Sequence, residues 1–103
     1  MFRHIALFRW SDDVTPEAVS RIAQELQTCA AALPVVRSYA CGPDVVAARG
    51  LARTEDRFDF AVVADFDDED GWRVYDADAE HTRVRAELIR PLLAGRVVVQ
   101  LET

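Results

Sequence analysis

His4, His81 and Tyr75 are the side chains of this chain best suited to carrying protons near neutral pH, and the two histidines are its only ones. A neutral imidazole can remove a proton from carbon beside a carbonyl, and a phenol can steady the oxyanion that develops. With His81 as base and Tyr75 as hydrogen-bond donor, the chemistry would be proton abstraction without a cofactor. The turn Asp76-Ala77-Asp78 lies between the two, and they can meet only through it. The same three residues also fit structural roles: His81 bonded locally at a helix start, Tyr75 as a core aromatic, and His4 as a core histidine satisfied by one hydrogen bond.

Other chemistries lack their residues. There is no Gly-rich phosphate loop and no GxSxG or SxxK nucleophile motif. Cys29 and Cys41 have neither CxxC spacing nor a nearby histidine, so they read as small buried hydrophobes rather than zinc ligands or a disulfide. Asp65, Asp67, Asp68, Glu69 and Asp70 offer oxygens, but without EF-hand spacing or a histidine partner they read as a solvated acidic stretch, and no metal is expected. The net charge of -6 with scattered arginines argues against nucleic acid as a partner. No apolar run approaches the roughly 20 residues that span a bilayer, and Met1-Phe2-Arg3-His4 leads into a strand pattern rather than a signal peptide, so a cytoplasmic protein is expected.

The 103 residues suit a single domain, 1–103, with half of them hydrophobic. Phe2 to Trp10 alternates as a strand, with Phe2, His4, Ala6, Phe8 and Trp10 on one face. Thr15-Pro16-Glu17 opens a helix by an N-cap hydroxyl, a proline at N1 and an acid in the first turn. Its apolar stripe is Val19, Ile22, Ala23, Leu26, Ala30 and Leu33, and Pro34 ends it. A second strand is predicted over Val35 to Cys41, closed by Gly42-Pro43-Asp44, followed by a surface loop over Val45 to Arg57 with a mobile tip.

Phe58 to Asp67 is the strongest strand pattern, with Phe58, Phe60, Val62, Ala64 and Phe66 on the core face. Acids then precede a short helix carrying Trp72 and Tyr75. A last helix is expected from about Glu80, burying Val84, Leu88, Ile89 and Leu92, disturbed by Pro91 and closed by Gly95. Val97, Val99 and Leu101 alternate with Val98, Gln100 and Glu102 in a final strand. The order β-α-β-β-α-α-β defines an α+β, ferredoxin-like fold, a four-stranded antiparallel sheet with helices on one face. The other face would still carry Ile5, Leu7, Ala61, Val63 and Val98, too apolar to remain wet. A second copy is the simplest cover, with Arg3, Arg9, Asp59 and Asp65 as cross-pairs.

Several segments together resemble the stress-responsive dimeric α/β-barrel (Dabb) family. They are His4-Ile5-Ala6-Leu7-Phe8-Arg9-Trp10, Gly42-Pro43-Asp44-Val45, Asp59-Phe60-Ala61-Val62-Val63-Ala64-Asp65-Phe66, Tyr75 with His81, and Leu88-Ile89-Arg90-Pro91-Leu92-Leu93. The resemblance spans nearly the whole chain. It implies a homodimer whose two sheets close into an α/β barrel. Among the enzymes of the family, the chain is similar to olivetolic acid cyclase-like polyketide cyclases, which close a linear polyketide thioester by an intramolecular aldol reaction without a cofactor. That similarity implies Tyr75 and His81 as the catalytic pair and His4 as a further pocket histidine. It also exposes two departures: a pocket histidine of the third strand becomes Phe60, and a proline before the helical histidine becomes Ala79.

In such a pocket His4, Phe8, Phe58, Phe60, Phe66 and Trp72 would surround a polyketide-like or aromatic ligand, with His4 and Phe60 facing the same space. The five aromatic residues among these also fit a plain core. Three functions follow as expectations: a cofactor-free cyclase working through Tyr75 and His81, a non-catalytic stress-response or small-molecule-binding dimer, and a cofactor-free monooxygenase of similar fold. An open cavity of about 300 Å³ beside His81 would count against a pocket filled by its own side chains.

Overall fold

The computed structural model describes residues 1–46 and 56–103. Most of the expected loop over 45–57, including its tip, lies outside the described residues. Strand β1 (Phe2–Trp10) alternates buried and half-buried along its whole length, as its sequence requires. It is central in a sheet of order β2-β3-β1-β4, with β2 at Ser38–Pro43, β3 at Phe60–Phe66 and β4 at Leu93–Glu102. β1 runs antiparallel to both neighbours, pairing Phe8 with Phe60 and His4 with Ala64 on one side and His4 with Gln100 on the other.

Helix α1 (Pro16–Ala31) begins where the sequence says, with the Thr15 hydroxyl accepting from Ala18 N. It lays Ile22, Leu26, Cys29 and Ala30 on the buried sheet face. There Phe8 and Phe60 stack with centroids 5.9 Å apart, and Trp10 meets Phe60 edge-on at 5.6 Å. A second cluster gathers Phe2, Ala64, Phe66 and Tyr75 under helix α2 (Glu69–Ala77), which Asp68 caps through Gly71 N.

Several boundaries move. β2 starts only at Ser38 and runs through Gly42 and Pro43. As an edge strand it can carry a proline, which has no N–H to give the ladder. β3 starts at Phe60, and Phe58 before it is half-buried with the Arg9 guanidinium 4.7 Å over its ring. The last helix is short, α3 (Ala79–Val84), and gives way to a π-turn over Arg85–Ile89 and a 3-10 turn over Arg90–Leu92. Pro91 explains the break, because its ring would collide with the carbonyl four residues back in a regular helix. Arg90 N–H instead reaches five residues back to the Arg85 carbonyl. Val84 and Ile89 are buried as expected, whereas Leu88 and Leu92 are only half-buried. Gly95 does not close a helix: it lies in β4 opposite Arg9, beside a register shift at Arg9/Trp10.

The register also corrects the outer face. Val98 stands opposite Ala6 and packs into the core on the helix side, while Val97, Val99 and Leu101 join Ile5 and Leu7 outside. Val97, Val99 and Leu101 are exposed, at 43%, 55% and 38%. Of the charges expected to pair across copies, Arg3 and Asp65 satisfy each other within the chain by two hydrogen bonds of 2.7 and 2.9 Å, with Ser38 adding a third to the carboxylate. Asp65 is thus buried rather than part of a solvated stretch, and Arg3 holds its carboxyl below the usual range. Arg9 donates to the Arg57 carbonyl, and Asp59 accepts from Trp10 N.

If a second copy covers this valine-rich face, Val99→Asp buries a charge at the contact while leaving the monomer's core untouched. Sedimentation should then show the wild type as a dimer and the variant as a folded monomer; equal masses for the two would reject that cover.

Candidate functional site

Tyr75 closes the last turn of α2 and His81 lies in the first turn of α3, so the link between the helices determines how they meet. Asp78 is that link: its extended backbone breaks the helix, its N–H donates to the Tyr75 carbonyl at 3.2 Å, and its carboxylate caps α3 by accepting from His81 N at 2.9 Å. Ala79, where the resemblance implies a proline, starts α3 with Asp78 supplying the cap. The chain thereby folds His81 back onto Tyr75, with ring centroids 4.0 Å apart and planes inclined by 34°.

His81 Nδ1 lies 3.1 Å from the Tyr75 carbonyl oxygen. A carbonyl only accepts, so Nδ1 carries the proton and Nε2 keeps the lone pair. Nε2 has no hydrogen-bond partner among the described residues. Burial, reinforced by the positive charge of Arg85, pushes the His81 pKa down to about 4. At neutral pH the ring is an uncharged base.

The Tyr75 hydroxyl lies 3.2 Å from that of Tyr39. Burial pushes the Tyr75 phenol up to about 12, and pushes Tyr39 upward as well. Both therefore keep their protons at working pH. If Tyr39 donates to Tyr75, the Tyr75 proton is left to give to another acceptor. His4 sits across the sheet from Gln100, whose side-chain oxygen lies 2.8 Å from Nδ1, and burial lowers its pKa too.

Tyr75, His81 and His4 all line one cavity of about 300 Å³. Its apolar wall comes from Ala6, Phe8, Leu26, Val62, Ile89 and Leu93, and its polar wall adds Asp76, Thr82, Arg85, Arg90 and Arg96. Arg85 is anchored to the Asp76 carboxylate at 2.9 Å and to the Asp76 carbonyl at 2.7 Å.

Of the residues singled out in the sequence, His81, Tyr75, His4 and Phe8 converge here, whereas Phe58, Phe60, Phe66 and Trp72 do not line the cavity. Phe60 is sealed against Phe8 and Trp10, Phe66 against Tyr75, and Trp72 packs beside Phe2 and His4. Nor do His4 and Phe60 share a space: Phe60 is packed against the Phe8 and Trp10 rings and does not line the cavity that His4 and Phe8 both reach. A phenylalanine at position 60 therefore takes nothing from this cavity. Sequence reasoning missed Tyr39, Arg85, Arg90 and Arg96. The alternation of β4 carried a signal for one of them, since Arg96 falls on the same face as Val98 and Gln100. Among the described residues no three His, Cys, Asp or Glu side chains cluster as metal ligands, and no helix is long and apolar enough to cross a membrane.

An α+β sheet of this order, with a histidine–tyrosine pair held between helices and sheet, defines a ferredoxin-like protein with an internal pocket. The chain belongs to the stress-responsive A/B barrel (Dabb) domain family, whose profile matches residues 2–103. It is similar to a dimeric ferredoxin-like protein of unknown function from Thermobifida fusca, at 44% identity and a TM-score of 0.82, covering 99% of this chain and 90% of that one. The fold alone is shared with a hydroxynitrile lyase from Passiflora edulis, at 17% identity and TM-score 0.79 over 97% and 90% of the two chains. It is also shared with SnoaB, a cofactor-independent oxygenase from Streptomyces nogalater, at 14% identity and TM-score 0.71 over 99% and 91%. No protein among the curated sequences matches the chain.

The buried neutral histidine makes stability depend on pH. An unfolded imidazole titrates near 6.5 and the folded one near 4, so as pH falls the unfolded chain takes the proton first. Stability present above about pH 6.5 is therefore lost as pH falls toward 4, by on the order of 3 kcal/mol. His81→Asn keeps an N–H for the Tyr75 carbonyl but does not titrate, so urea unfolding across this range should show a flatter pH dependence than the wild type. An equally steep dependence would assign the effect to other groups.

Proposed function

We propose that this chain is a cofactor-free cyclase that closes a polyketide-like substrate by an intramolecular aldol reaction. The observation that carries the reading is the His81 ring locked on Tyr75 by its Nδ1 bond, at the wall of a cavity large enough for a small ligand. His81 Nε2 takes a proton from a methylene carbon of the bound chain. The enolate oxygen accepts a hydrogen bond from the Tyr75 hydroxyl, and the carbanionic carbon attacks a distal carbonyl of the same chain. The new alkoxide then recovers the proton from His81, which returns to its neutral form.

The low basicity of His81 narrows the substrate. An imidazole whose conjugate acid has a pKa of about 4 is a weak proton acceptor, so it needs an acidic carbon. A methylene between two carbonyls is far more acidic than one beside a single carbonyl, and poly-β-keto chains are built from such units. A homodimer closing through the valine-rich face is part of this reading, supported by the dimeric Thermobifida fusca protein.

Incubation with linear poly-β-keto thioesters, followed by chromatography and mass spectrometry, tests the reading. The wild type should shift the products toward one ring closure. Tyr75→Phe should lower the rate by about 10²–10³, and His81→Ala by about 10²–10⁴. Product profiles identical with and without protein would reject the cyclase and leave a ligand-binding cavity. Oxygen uptake with anthrone-like substrates would point instead to oxygenation.

A further inference from the structure

The charge of the cavity runs against the charge of the molecule. The chain carries a net -6, yet three arginines and a single aspartate line the cavity. That aspartate, Asp76, is already held by Arg85. Arg90 and Arg96 have no carboxylate partner among the described residues, in a chain where Arg3, Arg37, Arg57, Arg73 and Arg83 are each tied to one.

Their placement is also specific. Arg90 is set by the turn that Pro91 forces after the π-turn, and Arg96 stands opposite Phe8 on the helix-facing side of β4. Both are exposed, while Phe8, Leu26 and Val62 on the same cavity are buried, so the arginines form the mouth and the apolar side chains the floor. Cations gathered at a low-dielectric opening attract an anion, and a guanidinium can hold two oxygens of a carboxylate or phosphate at once.

We propose that Arg90 and Arg96 hold the oxyanion head of a ligand, a carboxylate or a phosphate, whose apolar body lies on the cavity floor toward His81. This rests on the reading that the cavity beside His81 takes the substrate, and it adds a ligand class: an acid, or an acyl thioester on a phosphate-bearing carrier. The carboxylate would belong to the ligand itself and the phosphate to the carrier.

Two matched pairs of probes test it by calorimetry at low ionic strength: 4-butylbenzoate against 4-butylbenzamide, and the hexanoyl thioester of coenzyme A against that of N-acetylcysteamine. The charged member of at least one pair should bind about tenfold more tightly, and the pair that discriminates tells carboxylate from phosphate. Arg90→Gln/Arg96→Gln should reduce the preference to within about twofold, while Arg21→Gln, which removes the same charge from an exposed site on α1, should keep it. Equal wild-type affinity within both pairs overturns the proposal, as does a preference that survives the double variant or disappears in Arg21→Gln, or no binding of any probe. Unchanged urea midpoints will show that the variants are folded. Binding is read without turnover, so a failed cyclase assay beside an intact anion preference removes the chemistry and keeps the site, and the opposite pair of results removes the site alone.

Discussion

The period of two along β1 is the constraint on which the rest of the structure depends. As the central strand it is hydrogen-bonded on both sides, so its ladder leaves no freedom to turn individual side chains to the other face. Phe2, Ala6, Phe8 and Trp10 must then be covered by helices, and Ile5 and Leu7 must face away from them. The same alternation delivers His4 and Phe8 to the cavity and aligns Arg96 and Gln100 beside them through the β4 register. A slip of one residue would exchange core for outer face along the whole strand.

The site depends on a more local device, the break at Asp78. Its carboxylate supplies the cap that α3 needs, and its extended backbone turns α3 so that His81 lies over Tyr75. Burying an imidazole there disfavours its charged form, and the stability of the folded chain is tied to keeping that ring neutral. The same burial keeps Tyr75 protonated and able to donate. One packing decision thus sets both partners in the states that the proposed proton abstraction and oxyanion binding would require.

The downstream turn shows a second coupling of backbone to site. Pro91 cannot continue a helix, and the π-turn before it redirects Arg85, Ile89 and Arg90 toward the cavity. A regular helix over the same residues would have placed them on a different stripe. The disturbance at Pro91 was legible in the sequence, but its consequence was not, because which carbonyl accepts from Arg90 N–H is decided by how the segment packs.

The pattern of apolar residues alone determined the strands and the order of the elements, because a period of two and a period of three to four bury different faces. It also determined the unsatisfied outer face, although only the β1–β4 register placed Val98 inside and Val97, Val99 and Leu101 outside, while the Thr15 cap was marked by Thr15-Pro16-Glu17 themselves. The chemistry-bearing pair was visible as residue types. Tertiary structure decided which aromatics face the cavity: Phe60 and Phe66 share the face of β3 that carries Val62, but ring packing seals both, so only Val62 reaches the space. It also brought Arg85, Arg90 and Arg96 to the cavity from two turns and a strand, and set the Tyr39 hydroxyl of β2 against that of Tyr75. Side chains from separate elements have no common period, and the three arginines meet only because the sheet and the broken helix close around the same volume.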